Sequence, residues 1–229
     1  MEKEERIRPS LLGADFLHLK REMDILVRLG IRSLHYDVMD GNFVPDISFG
    51  EKLFVPLFSR YGKKIDFDVH LMTKDPLRHV RQFYALGARN IAIHYETLDE
   101  GMDGIKRVKD ELPGLSLSLA FSPETKTSLV MPFHSLFDGF LVMSVVPGKG
   151  GQSFMPEALE KIAMLDYFRK SNGLTFDIAV DGGIDASTGK MCIEKGADHL
   201  VCGSSFFKAE DKGAFLSLFA DGDRIEEGR

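Results

Sequence analysis

The strongest constraint on the fold is a regular alternation of short apolar segments with longer amphipathic ones. Amphipathic helices are predicted at 16–29, where apolar residues recur every three or four positions, and at 156–170. Strands that alternate with helices form parallel sheets, and eight such units fit a closed barrel better than an open sheet. We therefore predict an α/β fold, a (β/α)8 barrel of the TIM type, with 1–229 as a single domain. The eight predicted strands are 7–11, 33–38, 65–71, 90–94, 115–120, 139–143, 176–180 and 199–202.

Composition narrows the class of partner. The 229 residues are 44% hydrophobic, enough to bury one large core. There are 29 basic and 35 acidic residues, and no run of more than two basic ones, which argues against a nucleic-acid partner. The first six residues are charged and carry no apolar signal segment, and no stretch is apolar enough to span a bilayer. We expect a soluble, cytoplasmic protein that does not associate with membranes.

Three of the predicted strands end in side chains that can bind a metal. His35 and Asp37 lie two positions apart, so they share one face of a strand. His70 ends the third strand and Asp181 follows the seventh, and the carboxyl ends of barrel strands meet at one face. Two imidazoles with two carboxylates suit Zn, Fe, Mn or Co, whereas Mg and Ca favour oxygen ligands. We predict one divalent metal ion per subunit; the alternative is an unrelated group of residues at the barrel rim.

Glycine-rich segments after three strands suggest a phosphate site. Backbone N–H groups in such turns bind anions, and TIM barrels commonly place a phosphate after strands seven and eight. A single glycine pair is weak support because many turns use glycine, but the joint placement predicts a phosphate-bearing small molecule. The predicted phosphate-binding residues are Gly182, Gly183, Gly203 and Ser204, and the residues expected to close over the substrate are Gly148, Lys149, Gly150 and Gly151.

Over essentially its whole length the chain resembles the ribulose-phosphate 3-epimerases and their close relatives, the allulose-6-phosphate 3-epimerases. The matching motifs are PSLLGAD at 9–15, HYDVMDGNFVP at 35–45, DVHLM at 68–72, HYE at 94–96, PGKGGQ at 147–152, VDGGI at 180–184 and GS at 203–204. The resemblance implies a phosphate-binding TIM barrel with a divalent metal that inverts C3 of a ketose phosphate.

The same resemblance assigns roles to the predicted ligands. It implies that His35, Asp37, His70 and Asp181 bind the metal, and that Asp37 and Asp181 also serve as the catalytic acid and base. Removal of the C3 proton beside the C2 ketone leaves an enediolate, whose charge a cation would stabilise. Return of a proton from the other face inverts the centre. One aspartate must then be ionised while the other is protonated.

Further residues match substrate contacts of the family. Core filling is the alternative for the methionines, which pack into irregular gaps anywhere, and Ser10 alone would be an ordinary turn serine. His94 and Glu96 repeat the two-residue spacing, and we expect them to support the ligands rather than to bind a second metal or to act as a base. The implied substrate-binding residues are Ser10, His70, Met39, Met72 and Met143, besides those of 148–151.

Departures from the family pattern affect the choice of substrate rather than the chemistry. Lys149 replaces a large apolar residue, Gly13 a common Ser, Asp46 a frequent Asn and Ser122 the usual Asn. The Asp-Gly-Gly at 181–183 is closer to the pentose enzymes, which favours conversion of D-ribulose 5-phosphate to D-xylulose 5-phosphate in the pentose phosphate pathway. The alternative is D-allulose 6-phosphate with D-fructose 6-phosphate.

Two other classes fit less well. The related barrel decarboxylases need Asp-x-Lys-x-x-Asp, whereas residues 37–40 contain no lysine. A non-catalytic phosphosugar-binding barrel would lack a ligand, yet all four are present. The resemblance also implies an even-numbered homo-oligomer, a dimer or hexamer.

Overall fold

The computed structural model describes residues 6–98 and 101–220. The predicted domain 1–229 also includes residues 1–5, 99–100 and 221–229, which lie outside the described residues. One eight-stranded sheet dominates the structure. Its strands are β1 (Ile7–Pro9), β2 (Ser33–Met39), β3 (Asp66–Met72), β4 (Asn90–His94), β5 (Ser116–Phe121), β6 (Gly139–Met143), β7 (Asp177–Asp181) and β8 (His199–Cys202).

The strand order closes the sheet into a barrel. Neighbours follow the order β1-β8-β7-β6-β5-β4-β3-β2, and all seven laddered pairs are parallel. The two ends of this order, β1 and β2, meet through one parallel bridge between Ser10 and His35. This arrangement confirms the predicted TIM barrel and places its seam beside a predicted metal ligand.

Each strand is followed by a helix, as right-handed parallel crossovers require. Short 3₁₀ turns supplement the helices at Leu11–Gly13, Phe16–His18, Tyr95–Thr97 and Met131–Phe133. The helices are α1 (Leu19–Arg28), α2 (Glu51–Tyr61), α3 (Pro76–Ala85), α4 (Gly101–Glu111), α5 (Thr127–Val130), α6 (Ala158–Asn172), α7 (Ala186–Glu194), α8 (Ser204–Phe207) and α9 (Lys212–Ser217). Within residues 6–98 and 101–220, no helix is both long and apolar enough to cross a membrane.

The period of two along each strand separates two kinds of side chain. On β2, Tyr36 points outward and packs its ring against Phe54 of α2 and Phe67 of β3. His35 and Asp37 point inward, as their spacing predicts. At β2, aromatic packing therefore fills the layer between the sheet and the helices, while two polar residues take the inner face of the strand.

Small side chains occupy much of the barrel interior. Ala92, Ala120 and Ala179 are buried in an inner cluster with Leu141 and Met143. Short residues in this layer leave space for the longer ligand side chains at the carboxyl ends of β2, β3 and β7.

Candidate active site

The four predicted ligands converge at the carboxyl end of the barrel. The parallel register pairs Asp37 with His70, and the cluster is completed by His35 and by Asp181 from β7. One ligand atom from each residue lies within 4.8 Å of all the others. Two imidazole nitrogens and two carboxylate oxygens at this spacing fit a single divalent cation.

Each aspartate turns one oxygen towards this cluster. Asp37 Oδ1 lies 3.2 Å from both His35 Nε2 and His70 Nδ1. Asp181 Oδ2 lies 3.6 Å from the same two nitrogens. The other oxygen of Asp37, Oδ2, accepts a 2.7 Å hydrogen bond from Ser10 Oγ. Asp37 thus directs one oxygen at the cluster and holds the other against the Ser10 hydroxyl.

Contacts between the histidines and the aspartates shift the pKa values of both. Burial acts to lower the pKa of His35, but the Asp37 charge and hydrogen bonds to carboxylates raise it well above its usual range. Burial likewise acts to raise the pKa of Asp37 and of Asp181, and contacts with the histidines outweigh it and lower both. A metal ion that binds here must displace any proton carried by the ring nitrogens that it contacts.

A carboxylate also orients His35 from below. Its Nδ1 lies 3.1 Å from Asp68 Oδ2, and Arg8 donates to the same oxygen at 3.0 Å. Burial acts to raise the pKa of Asp68, but the Arg8 charge and the His35 contact lower it. Asp68 is therefore an ionised acceptor that keeps His35 Nε2 directed at the cluster.

His70 is oriented through two residues, His94 and Glu96, rather than through one. Its Nε2 lies 2.9 Å from His94 Nε2, and His94 Nδ1 lies 3.0 Å from Glu96 Oε2. Burial lowers the pKa of His94 to about 4, so its ring is neutral at pH 7. Burial acts to raise the pKa of Glu96, but hydrogen bonds from His94, Thr125 and the Ser122 N–H lower it to about 2. The His94–Glu96 contact is thus a hydrogen bond from a neutral ring to a carboxylate.

A cavity of about 960 Å³ opens above the cluster. Asp37 and Asp181 line it, whereas His35 and His70 are fully buried and are not among its lining residues. The wall also includes the predicted residues Ser10, Met39, Met72 and Met143. The two carboxylates therefore face the cavity, and the histidines contact them from the buried side.

The glycine loops form the rest of this cavity wall. The residues at 148–151 and those at 182–183 and 203–204 all line it, as the sequence predicts. Gly183 has φ +62°, and a Cβ there would lie 2.4 Å from the backbone nitrogen of Phe154. Gln152 donates to the carbonyls of Val146 and Lys149, which fixes the loop after β6. Close packing between the two loops thus depends on glycine.

Residues 6–207 match the ribulose-phosphate 3 epimerase family. The chain belongs to this family. The ribulose-phosphate 3-epimerase of Schizosaccharomyces pombe is 36% identical over 213 residues, which cover 93% of this chain and 91% of that protein. The cytoplasmic isoform of ribulose-phosphate 3-epimerase from Oryza sativa subsp. japonica is 36% identical over 216 residues, with the same two coverages. Membership in an epimerase family makes the protein an isomerase, and the predicted resemblance is confirmed.

More distant structures share the fold alone. A mutant tryptophan synthase alpha-subunit from Pyrococcus furiosus superposes with a TM-score of 0.61 at 16% identity, covering 95% of this chain and 96% of that one. Another structure, described as native KDPGal, gives a TM-score of 0.61 at 12% identity, with coverages of 93% and 91%. These likenesses support the TIM barrel.

The cavity wall also includes residues that were not predicted from the sequence, and one of them is cationic. Lys208 lines the wall on the same side as Ser204, and in the described chain it and Lys149 are the only cationic side chains there. Lys208 is the C-cap of α8 and lies four residues after Ser204, a helical spacing that places both near the same face and could have been read from the sequence. His70 was predicted to contact substrate as well as metal; it lies beneath the cavity, and its substrate contact stays a prediction.

Proposed function

We propose that the protein is a metal-dependent epimerase that interconverts D-ribulose 5-phosphate and D-xylulose 5-phosphate by inverting C3. The observation that carries the proposal is the pair Asp37 and Asp181, which share one cavity and share the two histidines beneath it. Relatives named as ribulose-phosphate 3-epimerases, over nine-tenths of the chain, support the pentose substrate.

The two aspartates suit the two proton transfers of an inversion. Asp37 and Asp181 belong to β2 and β7, with β1 and β8 between them in the barrel. The ionised member takes the proton from C3, beside the C2 ketone, and the protonated member returns one from the other side. Ser10 orients the reactive oxygen of Asp37 through its 2.7 Å hydrogen bond. When bound, a divalent cation supplies positive charge that lowers the energy of the enediolate formed between the two transfers.

The chemistry of the cavity wall supports the remaining roles. Met39, Met72 and Met143 present thioethers that exclude water without exchanging protons. Gly182, Gly183, Gly203 and Ser204 offer backbone N–H groups to the phosphate. Lys149 and Lys208 add positive charge to a wall that also carries Asp46 and Asp185.

We also propose the metal content, domain organisation, oligomeric state and location of the enzyme. One metal ion per subunit, Zn, Fe, Mn or Co, matches the donor set of the cluster. We infer a single domain over 1–229 and an even-numbered homo-oligomer, a dimer or hexamer. The cytoplasmic isoform from rice supports a cytoplasmic location.

The test is proton exchange at C3, followed by NMR in heavy water. Metal-loaded protein given D-ribulose 5-phosphate should form D-xylulose 5-phosphate with deuterium at C3. Asp37→Asn and Asp181→Asn should each lower kcat by roughly 10²- to 10⁴-fold. Asp110→Asn on the exposed face of α4 is the matched control and should be unchanged.

Two results would overturn the assignment. If folded, metal-loaded protein gave neither signal, the pentose substrate would be wrong, and turnover of D-allulose 6-phosphate would identify the hexose instead. If both aspartate variants kept normal turnover at full metal content, the acid and base roles would be wrong.

A further inference from the structure

The support behind His70 is an unbroken chain of hydrogen-bonding groups. It runs from His70 Nε2 to His94 Nε2 over 2.9 Å, and from His94 Nδ1 to Glu96 Oε2 over 3.0 Å. The His94 side chain is fully buried, and its ring contacts those of His70 and Phe43 at centroid distances of 5.1 and 4.8 Å. Both ring nitrogens of His94 therefore have only protein groups as hydrogen-bond partners.

Because His70 must leave Nδ1 free for the metal and Glu96 is a hydrogen-bond acceptor, only one arrangement of protons satisfies every contact in this series of groups. A neutral imidazole carries one proton, so a His70 that binds metal through Nδ1 must carry its proton on Nε2. His94 Nε2 then accepts that hydrogen bond, and His94 carries its own proton on Nδ1, where it donates to Glu96. In the reverse arrangement His70 would have its proton on the metal-facing nitrogen, and an unprotonated His94 nitrogen would face a carboxylate oxygen.

Glu96 is itself fixed from the opposite side. Its Oε1 accepts hydrogen bonds from the Ser122 N–H at 2.8 Å and from the Thr125 hydroxyl. Lys161 of α6 donates to three carbonyls of the same turn, those of Ser122, Pro123 and Thr125, at 3.0, 2.6 and 2.7 Å. The turn after β5 is thus locked, and both oxygens of Glu96 are used as acceptors.

We propose that Glu96 is a positioning residue for the metal centre, which acts through His94 to fix the tautomer and the ring orientation of His70. This role rests on the metal site of the proposed function and goes beyond it. His35 has its carboxylate, Asp68, in direct contact, whereas His70 reaches Glu96 through a second histidine. Each metal-facing histidine is therefore backed by a different carboxylate.

The substitution Glu96→Gln prevents the side chain from accepting hydrogen bonds from His94 and from the turn after β5 at the same time. A side-chain amide has one accepting atom and one donating atom. If its oxygen faces the turn, its NH2 faces His94 Nδ1 and favours the reverse tautomer. If its oxygen faces His94, the NH2 opposes the donors of the turn. Glu111→Gln is the matched control, because it makes the same change at an exposed carboxylate paired with Arg81.

Two measurements test the role without relying on turnover. The first is the ¹⁵N chemical shift of the histidine ring nitrogens in zinc-loaded protein. We expect His94 to carry its proton on Nδ1 and His70 on Nε2 in the unsubstituted chain, with loss of this single pattern in Glu96→Gln. The second is competition for Zn²⁺ with a chelator. Glu96→Gln should bind zinc roughly 10- to 100-fold more weakly, and Glu111→Gln within twofold of the unsubstituted protein.

The outcomes distinguish this inference from the proposed function. A proton on His94 Nε2 in the unsubstituted chain would overturn the inference, even if Glu96→Gln failed to fold. Unchanged zinc affinity in a folded Glu96→Gln variant would also overturn the inference. In that case, epimerase activity of the unsubstituted protein would still support the proposed function. Failure of the unsubstituted protein to bind zinc, iron, manganese or cobalt would overturn both.

Discussion

At the scale of single residues, the spacing of residues along the sequence predicted the metal ligands better than it predicted the contacts of the residues that orient them. His35 and Asp37 were predictable because a period of two puts both on one strand face. Asp68 has the same relation to His70, yet its contact is with His35, since the β2–β3 register sets those two side by side. The partners of Glu96 other than His94 belong to the turn after β5, which no local pattern connects with β4. Contacts that depend on register or on distant turns could not be found from the sequence.

Lys208 should contribute modestly to binding of the substrate phosphate. We expect Lys208→Met to raise KM about two- to fivefold with little change in kcat, because an exposed charge contact contributes at most about 1 kcal/mol. Steady-state kinetics and the inhibition constant of inorganic phosphate would measure this. Lys149→Phe, which restores the apolar residue usual in the family, should keep its turnover. An unchanged KM in Lys208→Met would remove Lys208 from the phosphate site.

At the scale of elements, the strands were predicted closely because their ends coincide with turn residues and ligands. Three strands have the predicted bounds, and most others shift by one residue. The first strand ends at Pro9 rather than residue 11, since Leu11–Gly13 turns into a 3₁₀ segment. The helix predicted from residue 16 begins at Leu19, because Asp15 caps a separate 3₁₀ turn by accepting from the Leu17 N–H. Apolar periodicity alone does not distinguish such a turn from the first turn of a helix.

Two glycines with the same backbone angle give a matched test of loop packing. Gly183 and Gly173 both have φ +62°, but only at Gly183 would a Cβ meet another atom, the Phe154 nitrogen at 2.4 Å. Gly173→Ala should cost about 1 to 2 kcal/mol from the left-handed conformation alone and leave KM unchanged. Gly183→Ala should destabilise more and also raise KM, because the loops after β6 and β7 must separate. Thermal unfolding and kinetics would check both; equal effects on KM would show that this contact does not shape the cavity.

At the scale of the whole molecule, the sequence was sufficient for topology and insufficient for the geometry of the site. Eight alternating units dictate a parallel barrel, and the barrel dictates that strand ends share a face. The degree of burial of each ligand side chain was not predictable. His35 and His70 are fully buried, whereas the Asp181 side chain is 16% exposed. Depth depends on the small inner residues of other strands, such as Ala92 and Ala179.

The lowered pKa of Glu96 has a consequence for acid stability. Its folded value, about 2, lies below its ordinary value of 4.5, so its stabilising effect is complete above pH 4.5 and disappears as the pH falls towards 2. Metal-free Glu96→Gln should therefore be less stable than the unsubstituted chain at neutral pH, by at most about 3 kcal/mol. The difference should shrink between pH 4.5 and 2 in urea unfolding experiments. A constant difference across that range would contradict the assignment.

The single bridge between Ser10 and His35 makes the reaction site part of the closure of the barrel. By contrast, β2 and β3 are in register over seven positions. Local opening follows the least connected backbone, so amide hydrogens of β1, which pairs with β8 over three positions, should exchange with solvent sooner than those of β4 and β5. Zinc with inorganic phosphate should slow exchange most at this seam, and uniform slowing around the barrel would argue against it. An enzyme arranged in this way owes part of the integrity of its scaffold to the molecules that it binds.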